Sequence, residues 1–307
     1  MSKIKSLSLK QIKSVLKEEF EGFKFEHIPL GEMYHTYKIS KGKQTFFVKE
    51  VKIHEAQMEY FLSKLKYGHL PYSIFPKFLE KGILVRQYIK GNMLRSKNID
   101  LGLVRDFACM RSEMNDKRFF NKHNIFKLDN FSRKDGGFYA KSLSQSFDFA
   151  PKRLKELDKY KLREVEDYWE IYKHLKKNKK EIIKGFVSMP FAKQHQDFRE
   201  DNIIVDKLGK QNLIDWGSSY GYHPFMFDPA PFLVYNKKAL KTYMDNLNFC
   251  KRASDAQISR WLYVGLAAKF FDNVKWRLDP SEYRADTKVK CKKYLAYEYE
   301  TFKYLLE

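Results

Sequence analysis

The sequence predicts an α+β fold, with strands in the first ninety residues and a mainly helical remainder, on a chain long enough for two lobes. Three observations carry this. At 307 residues the chain can bury a substantial core and has room for two lobes or domains. Within the first ninety residues, Thr45–Val51 and Ile83–Ile89 are β-branched and aromatic runs of strand length. Beyond residue 100 the apolar residues recur mostly at three- and four-residue steps, the period of amphipathic helices.

Taken in order, Ser8-Leu9-Lys10-Gln11 has the Ser-x-x-Gln form of a capping box, in which hydroxyl and amide satisfy each other's main-chain N–H groups. Leu9, Ile12, Leu16 and Phe20 follow at helical spacing, so a short helix is predicted over 9–20. Leu30 to Ile39 suits a hairpin, with Gly31 at the turn and Thr36 as a hydroxyl donor. Lys49 follows Phe-Val on the Thr45–Val51 strand. His54–Leu65 is helical in pattern, with Met58, Phe61, Leu62 and Leu65 on one side and Glu55 and Glu59 one turn apart. The Ile83–Ile89 strand leaves at Lys90-Gly91. Leu101 to Met110 predicts a helix, and Leu154 to Leu175 a single long amphipathic one. Phe119–Ser146 shows no period and is predicted to be an insertion or loop. Asp255–Phe271 suits an N-capped helix, and another aromatic helix is predicted around Tyr294–Leu306.

Composition excludes several classes. Hydrophobic residues make up 43% and aromatics 16%, too rich in core formers for a disordered chain. No stretch approaches the ~18 apolar residues of a membrane span, since the longest, Trp261 to Phe271, is interrupted at Lys269. The first ten residues lack the apolar core of a secretion signal, which makes a cytoplasmic protein the expectation. Cys109, Cys250 and Cys291 stand far apart without CxxC spacing, so neither zinc nor a disulfide framework is expected. Lys and Arg number 59 against 38 Asp and Glu, a net charge of +21 that attracts anions and repels polycations. Compositional bias explains the same excess equally well. The Lys176–Lys180 run suits a solvated helix end, because it has no interleaved aromatics on which bases would stack.

The chemistry concentrates in His195-Gln-Asp197-Phe-Arg-Glu-Asp-Asn202-Ile-Ile-Val205 and, after a short turn, Leu213-Ile-Asp215-Trp-Gly217. Phosphoryl transfer asks for one carboxylate to orient a hydroxyl nucleophile and for oxygen ligands to hold a divalent metal on the phosphates. Asp197 fits the first role. Asn202 and Asp215, at the boundaries of two short strands, fit the second. His195, two residues before Asp197, suits a loop-fixing hydrogen bond better than a base.

His195-x-Asp197-x-x-x-x-Asn202 with Ile214-Asp215-Trp216 resembles the catalytic and metal loops of the aminoglycoside phosphotransferase and choline kinase group, small-molecule kinases of protein-kinase-like fold, which implies two lobes: a small one on an antiparallel sheet (residues 1–90), ending at a hinge, and a larger, mainly helical one (residues 91–307). Trp216-Gly217 stands where protein kinases usually carry Phe-Gly, and Phe227-Asp228-Pro229-Ala230 resembles a further segment of the group. The resemblance spans roughly residues 8 to 235. It implies ATP and Mg²⁺ as cofactors and a small-molecule hydroxyl as acceptor, whether aminoglycoside, amino alcohol or sugar-like. It places Lys49 on the α- and β-phosphates with Glu55 as its carboxylate, Glu59 in reserve. Gln87 and Ile89 would meet the adenine edge through main-chain groups, and Gly31 and Thr36 would sit near the phosphates. The phosphate segment departs from a glycine-rich loop in holding only Gly31. Asp228 would brace the catalytic loop, and Asp272, Trp276 and Tyr283 are candidates facing the acceptor. Two other readings stay open: an inactive kinase-like binding protein, and a basic nucleic-acid-binding protein. Oligomeric state is open as well.

Overall fold

The computed structural model describes residues 7–28, 35–115, 136–218, 222–278 and 287–307. The chain divides into two compact units, Met1–Asn130 with His195–Tyr220 and Phe131–Gln194 with Gly221–Glu307. The fold is α+β, with a small antiparallel sheet in the N-terminal part and helices dominating the rest.

In the first unit, α1 (Leu9–Leu16) begins with the predicted box: the Ser8 N–H donates to Gln11 Oε1 at 2.8 Å and the Gln11 N–H donates to Ser8 Oγ at 3.3 Å. The helix stops at Leu16, four residues short of the apolar pattern. Phe20 is buried from the following turn instead. Strands β1 (Lys24–His27), β2 (Thr36–Lys41), β3 (Gln44–Glu50) and β4 (Ile83–Gln87) form an antiparallel sheet in that order. Period-two alternation gives the sheet two faces. Tyr37, Ile39, Val48, Ile83 and Val85 join Ile12 and Leu16 of α1 in one cluster, while Phe47 and Leu84 join Ala56 of α2 (Ile53–Leu65) in another. Lys49 therefore falls on the α2 face, next to Phe47 by alternation.

A second sheet is built from β5 (Gly91–Met93), β7 (Ile203–Asp206) and β8 (Gln211–Leu213). Gly91 is needed there: a Cβ would lie 2.1 Å from the Val205 carbonyl oxygen, so only glycine lets β5 pair this closely. Helix α3 (Leu101–Met114) is capped by Asp100, which accepts from the Gly102 N–H at 2.6 Å, and stacks Phe107 on Phe198 with ring centroids 4.7 Å apart. That stack ties the loop carrying Asp197 to a helix.

The second unit is helical around one small ribbon, β6 (Phe191–Lys193) paired with β9 (Tyr222–Pro224). Its helices are α4 (Gly136–Asp158), α5 (Arg163–Lys177), α6 (Lys179–Ser188), α7 (Ala230–Leu233), α8 (Lys237–Asp245), α9 (Asp255–Asp272) and α10 (Thr287–Phe302). Two expectations are corrected here. The single helix predicted over 154–175 is two, broken where Lys161 adopts a left-handed backbone (φ 50). The apolar step from Leu157 to Leu162 spans five residues, out of helical phase, and the break falls there. The loop predicted over 119–146 is helical from Gly136 onward. Tyr139, Leu143, Phe147, Ala150, Leu154 and Leu157 recur at three- and four-residue steps and are all buried, a pattern masked by Gly136-Gly137. The remainder of that loop prediction lies largely outside the described residues. Among the described residues no helix is long and apolar enough to cross a membrane.

Candidate active site

Lys49 extends from β3 to two carboxylates. Its Nζ lies 2.7 Å from Glu55 Oε1, in the first turn of α2, and 2.8 Å from Asp215 Oδ1. Lys49 and Glu55 are buried, whereas the Asp215 side chain is 48% exposed. Burial opposes the charge on Lys49, yet the two carboxylates outweigh it and hold the ammonium above the ordinary lysine range. Burial raises the Glu55 carboxyl, with Lys49 pulling the other way. Burial also acts to raise Asp215, but Lys49 prevails and holds it below the usual carboxylate range. One turn further along α2, Glu59 is fully buried, and desolvation pushes its carboxyl up to about 8 against the pull of Arg86.

Asp215 itself adopts a left-handed backbone (φ 63), which aspartate tolerates better than most residues. Two residues on, a Cβ at Gly217 would sit 3.3 Å from both Asp215 Oδ1 and Glu55 Oε2, so the lack of a side chain leaves room for the two carboxylates. The His54 ring donates to the Gly217 carbonyl at 2.5 Å, binding this turn to α2.

The loop carrying Asp197 is fixed from the same side. His195 is buried, its Nε2–H donates to the Ile214 carbonyl at 2.9 Å, and its ring meets Trp216 edge-on at 4.5 Å. Asn202 Nδ2 donates to the Asp197 carbonyl and to Asp197 Oδ2, both at 2.8 Å. The Ile214 N–H donates to the Asn202 carbonyl at 2.8 Å across the β7–β8 hairpin. A continuous chain of contacts thus joins Lys49 to Asp215, Asp215 through its neighbour Ile214 to Asn202, and Asn202 to Asp197. All five predicted polar residues, Glu55 included, sit in one place within the first unit.

Other predicted residues stand apart from that chain. Thr36 is buried opposite Lys49 in the sheet register, and its hydroxyl donates to the Ile28 carbonyl at 2.5 Å, so its donor is committed within the sheet. Gln87 ends β4 and Ile89 follows it, both lining a cleft described below. Gly31 and Tyr283 lie outside the described residues. In the second unit Asp228 is buried, Asp272 pairs with Lys269 at 3.2 Å, and Trp276 falls in the π-helical turn Asn273–Arg277.

The sequence reading passed over two neighbours. Arg199 Nε lies 3.1 Å from Asp197 Oδ1 and 2.8 Å from Asp201 Oδ1, a cation between the two acids of the loop. Glu200 pairs with Lys97, securing the loop from outside. The alternation Asp197-x-Arg199-x-Asp201 was a visible signal for the first. Nothing local announced the second, because its partners are remote in sequence.

Several solved structures share this fold. The chain is 12% identical to AMP-bound spectinomycin phosphotransferase (97% of this chain, 98% of that one, TM-score 0.59). It is 11% identical to macrolide 2′-phosphotransferase type I (94% and 98%, TM-score 0.56) and 12% identical to choline kinase from Cryptosporidium parvum Iowa II (97% and 94%, TM-score 0.53). These likenesses establish a protein-kinase-like fold of the kind found in small-molecule kinases. Residues 127–261, under half of the chain, match the model of the phosphotransferase enzyme family. A comparison with curated proteins finds no match. Fold and family match together make this chain similar to phosphotransferases, in fold over nearly its whole length and in family pattern over residues 127–261.

Proposed function

We propose that this chain transfers the γ-phosphoryl group of ATP, with Mg²⁺, to a hydroxyl of a small molecule in the cytoplasm, the acceptor being aminoglycoside, amino alcohol or sugar-like. One observation carries the reading: Asp197, Asn202, Asp215 and the Lys49–Glu55 pair are linked through 2.7–2.8 Å contacts and a single hairpin. In this reading the small lobe ends at a hinge near residue 90, with Gln87 and Ile89 meeting the adenine edge through their main chain. Lys49, held extended by Glu55, positions the α- and β-phosphates.

The donor set suits magnesium. The Asn202 amide spends its nitrogen on Asp197, which orients its oxygen away from that pair, and Asp215 offers a half-exposed carboxylate. Hard oxygen ligands of this kind are what Mg²⁺ takes, and the bound ion would neutralise charge on the phosphate oxygens. Asp197 accepts the proton of the acceptor hydroxyl as its oxygen bonds to the γ-phosphorus and the bond to the bridging β,γ-oxygen breaks. Arg199 steadies the Asp197 carboxylate between turnovers.

The test measures transfer from radiolabelled ATP to a panel of aminoglycosides, amino alcohols, sugars and nucleosides. Asp197→Asn should lower turnover about 10²- to 10⁴-fold while leaving the thermal midpoint in place. Retained turnover in that variant would remove Asp197 from its role. Absence of any Mg²⁺-dependent thermal stabilisation by ATP would favour an inert binding protein instead.

A further inference from the structure

Two adjoining clefts lie along β4 and its exit, within the first unit. The first, of about 480 Å³, is lined by Lys66, Lys90, Lys207 and Lys210 together with the rings of Tyr67, Tyr72 and Tyr88. The second, of about 690 Å³, is lined by Lys38, Lys43 and Lys90 with Phe46 and Tyr88. They share Ile74, Gln87, Tyr88 and Lys90, which makes them one continuous groove. Lys49, Glu55, Asp197, Asn202 and Asp215 line neither cleft, so the groove borders the proposed nucleotide site only at Gln87 and Ile89, whose main chain that reading gives to the adenine edge.

Its chemistry is unusual on two counts. Six lysines face one lining carboxylate, Asp206, whose Oδ1 is engaged by the main-chain N–H groups of Leu208 and Lys210 at 2.9 and 3.0 Å. Of the lysines, Lys38 is paired with Glu26 at 2.9 Å and also lies over the Tyr88 ring at 5.7 Å. The lining also holds the half-buried rings of Tyr67, Tyr72 and Tyr88, while Phe46 packs against Phe20, Phe23 and Phe75, and Ile74 and Leu208 are exposed at 39% and 92%. Flat apolar surface interleaved with cations in an open groove suits a ligand that alternates anions with planar rings. The Lys176–Lys180 run has four lysines, and the rings beneath Lys176 and Lys179, Tyr172 and Phe147, are buried and closed to a ligand.

We propose that this groove binds single-stranded nucleic acid, with phosphates along the lysines and bases stacked on Tyr67, Tyr72 and Tyr88. A duplex encloses its bases and cannot offer them to the rings. A free phosphate would use the lysines and leave the rings idle, and a flat bilayer does not enter a concave groove.

The test is fluorescence anisotropy of the full chain with a labelled oligouridine of about twelve nucleotides, at ~50 and ~200 mM salt. Binding should weaken with salt, with a slope of about −0.7 per phosphate contacted. Lys207→Glu with Lys210→Glu should weaken it at least about tenfold and flatten the slope. Tyr72→Leu should weaken it at least about fivefold with the slope unchanged. Lys176→Glu with Lys177→Glu, the same change of charge on a solvated helix end, should shift affinity less than about twofold. Should the groove pair fail to fold by circular dichroism, Lys43→Gln with Lys66→Gln, both at exposed positions, takes its place with the same expectation. The proposal falls if the helix-end pair weakens binding as much as the groove pair. It falls equally if a duplex of the same length binds as tightly, if inorganic phosphate displaces the strand at equal concentration, or if only anionic phosphatidylglycerol vesicles are bound.

Discussion

Removing the Lys49 ammonium should destabilise the fold as well as stop the reaction, and the two effects can be separated. The Glu55 side chain is 2% exposed and Lys49 11%, with 2.7 Å between their charges. Lys49→Met leaves a carboxylate in that environment without a counter-ion, for which a loss of about 3 kcal/mol is expected, at the lower end for broken buried pairs because Glu55 can take up a proton instead. Glu55→Gln leaves the ammonium beside Asp215 at 2.8 Å, and Asp215 is half exposed, so its loss should be smaller, about 1 to 2 kcal/mol. The double variant should lose less than the sum, with a coupling of about 1 to 2 kcal/mol. Urea unfolding followed by circular dichroism reads these losses, about 3 kcal/mol lowering the midpoint by about 1 M at a slope near 3 kcal/mol/M. The loss in Lys49→Met should shrink as the pH falls, since a protonated Glu55 needs no partner. A Lys49→Met midpoint equal to the parent's, or single losses that simply add, would refute the pairing.

Two further predictions concern the same corner of the molecule. Glu59, held protonated by burial up to about 8, binds a proton that the unfolded chain releases above the ordinary glutamate value of 4.5. Its contribution is fully present below that value and is lost as the pH rises through about 8, at up to about 1.4 kcal/mol per pH unit. Glu59→Gln should flatten the decline of the urea midpoint between about pH 5 and about pH 8, and an unchanged decline would show that Glu59 does not titrate in that window. Gly217→Val places branched carbon against the carboxylates of Asp215 and Glu55, where a Cβ alone would stand at 3.3 Å. Turnover should drop by about tenfold or more through misplaced phosphates, with stability changed by only about 1 kcal/mol. A stability loss without a loss of turnover would make Gly217 a packing residue.

Much of the first unit was legible because its signals are local. Ser8 and Gln11 cap each other three residues apart, and Phe46-Phe47-Val48 could only pack as a strand. The misread helices show where locality fails. Gly136-Gly137 argued for a loop, yet burial of Tyr139, Leu143 and Phe147 outweighs the helix penalty of the glycines. The five-residue step at Leu157–Leu162 was visible, but period alone did not say that a left-handed lysine would occupy it.

The sequence by itself determined the order and spacing of Asp197, Asn202 and Asp215, because short-range bonds set their geometry: an amide reaching back five residues and a hairpin joining Asn202 to Ile214. It also marked Lys49 on its strand and the helix carrying Glu55 and Glu59. Only the tertiary structure decided that Lys49 meets Asp215 across 166 residues, that Glu55 rather than Glu59 takes the ammonium, and that lysines from β2, α2's exit and the β7–β8 turn line one groove. Such contacts depend on how helix and sheet faces pack, and packing is settled by the sum of many apolar contacts rather than by any segment's own pattern.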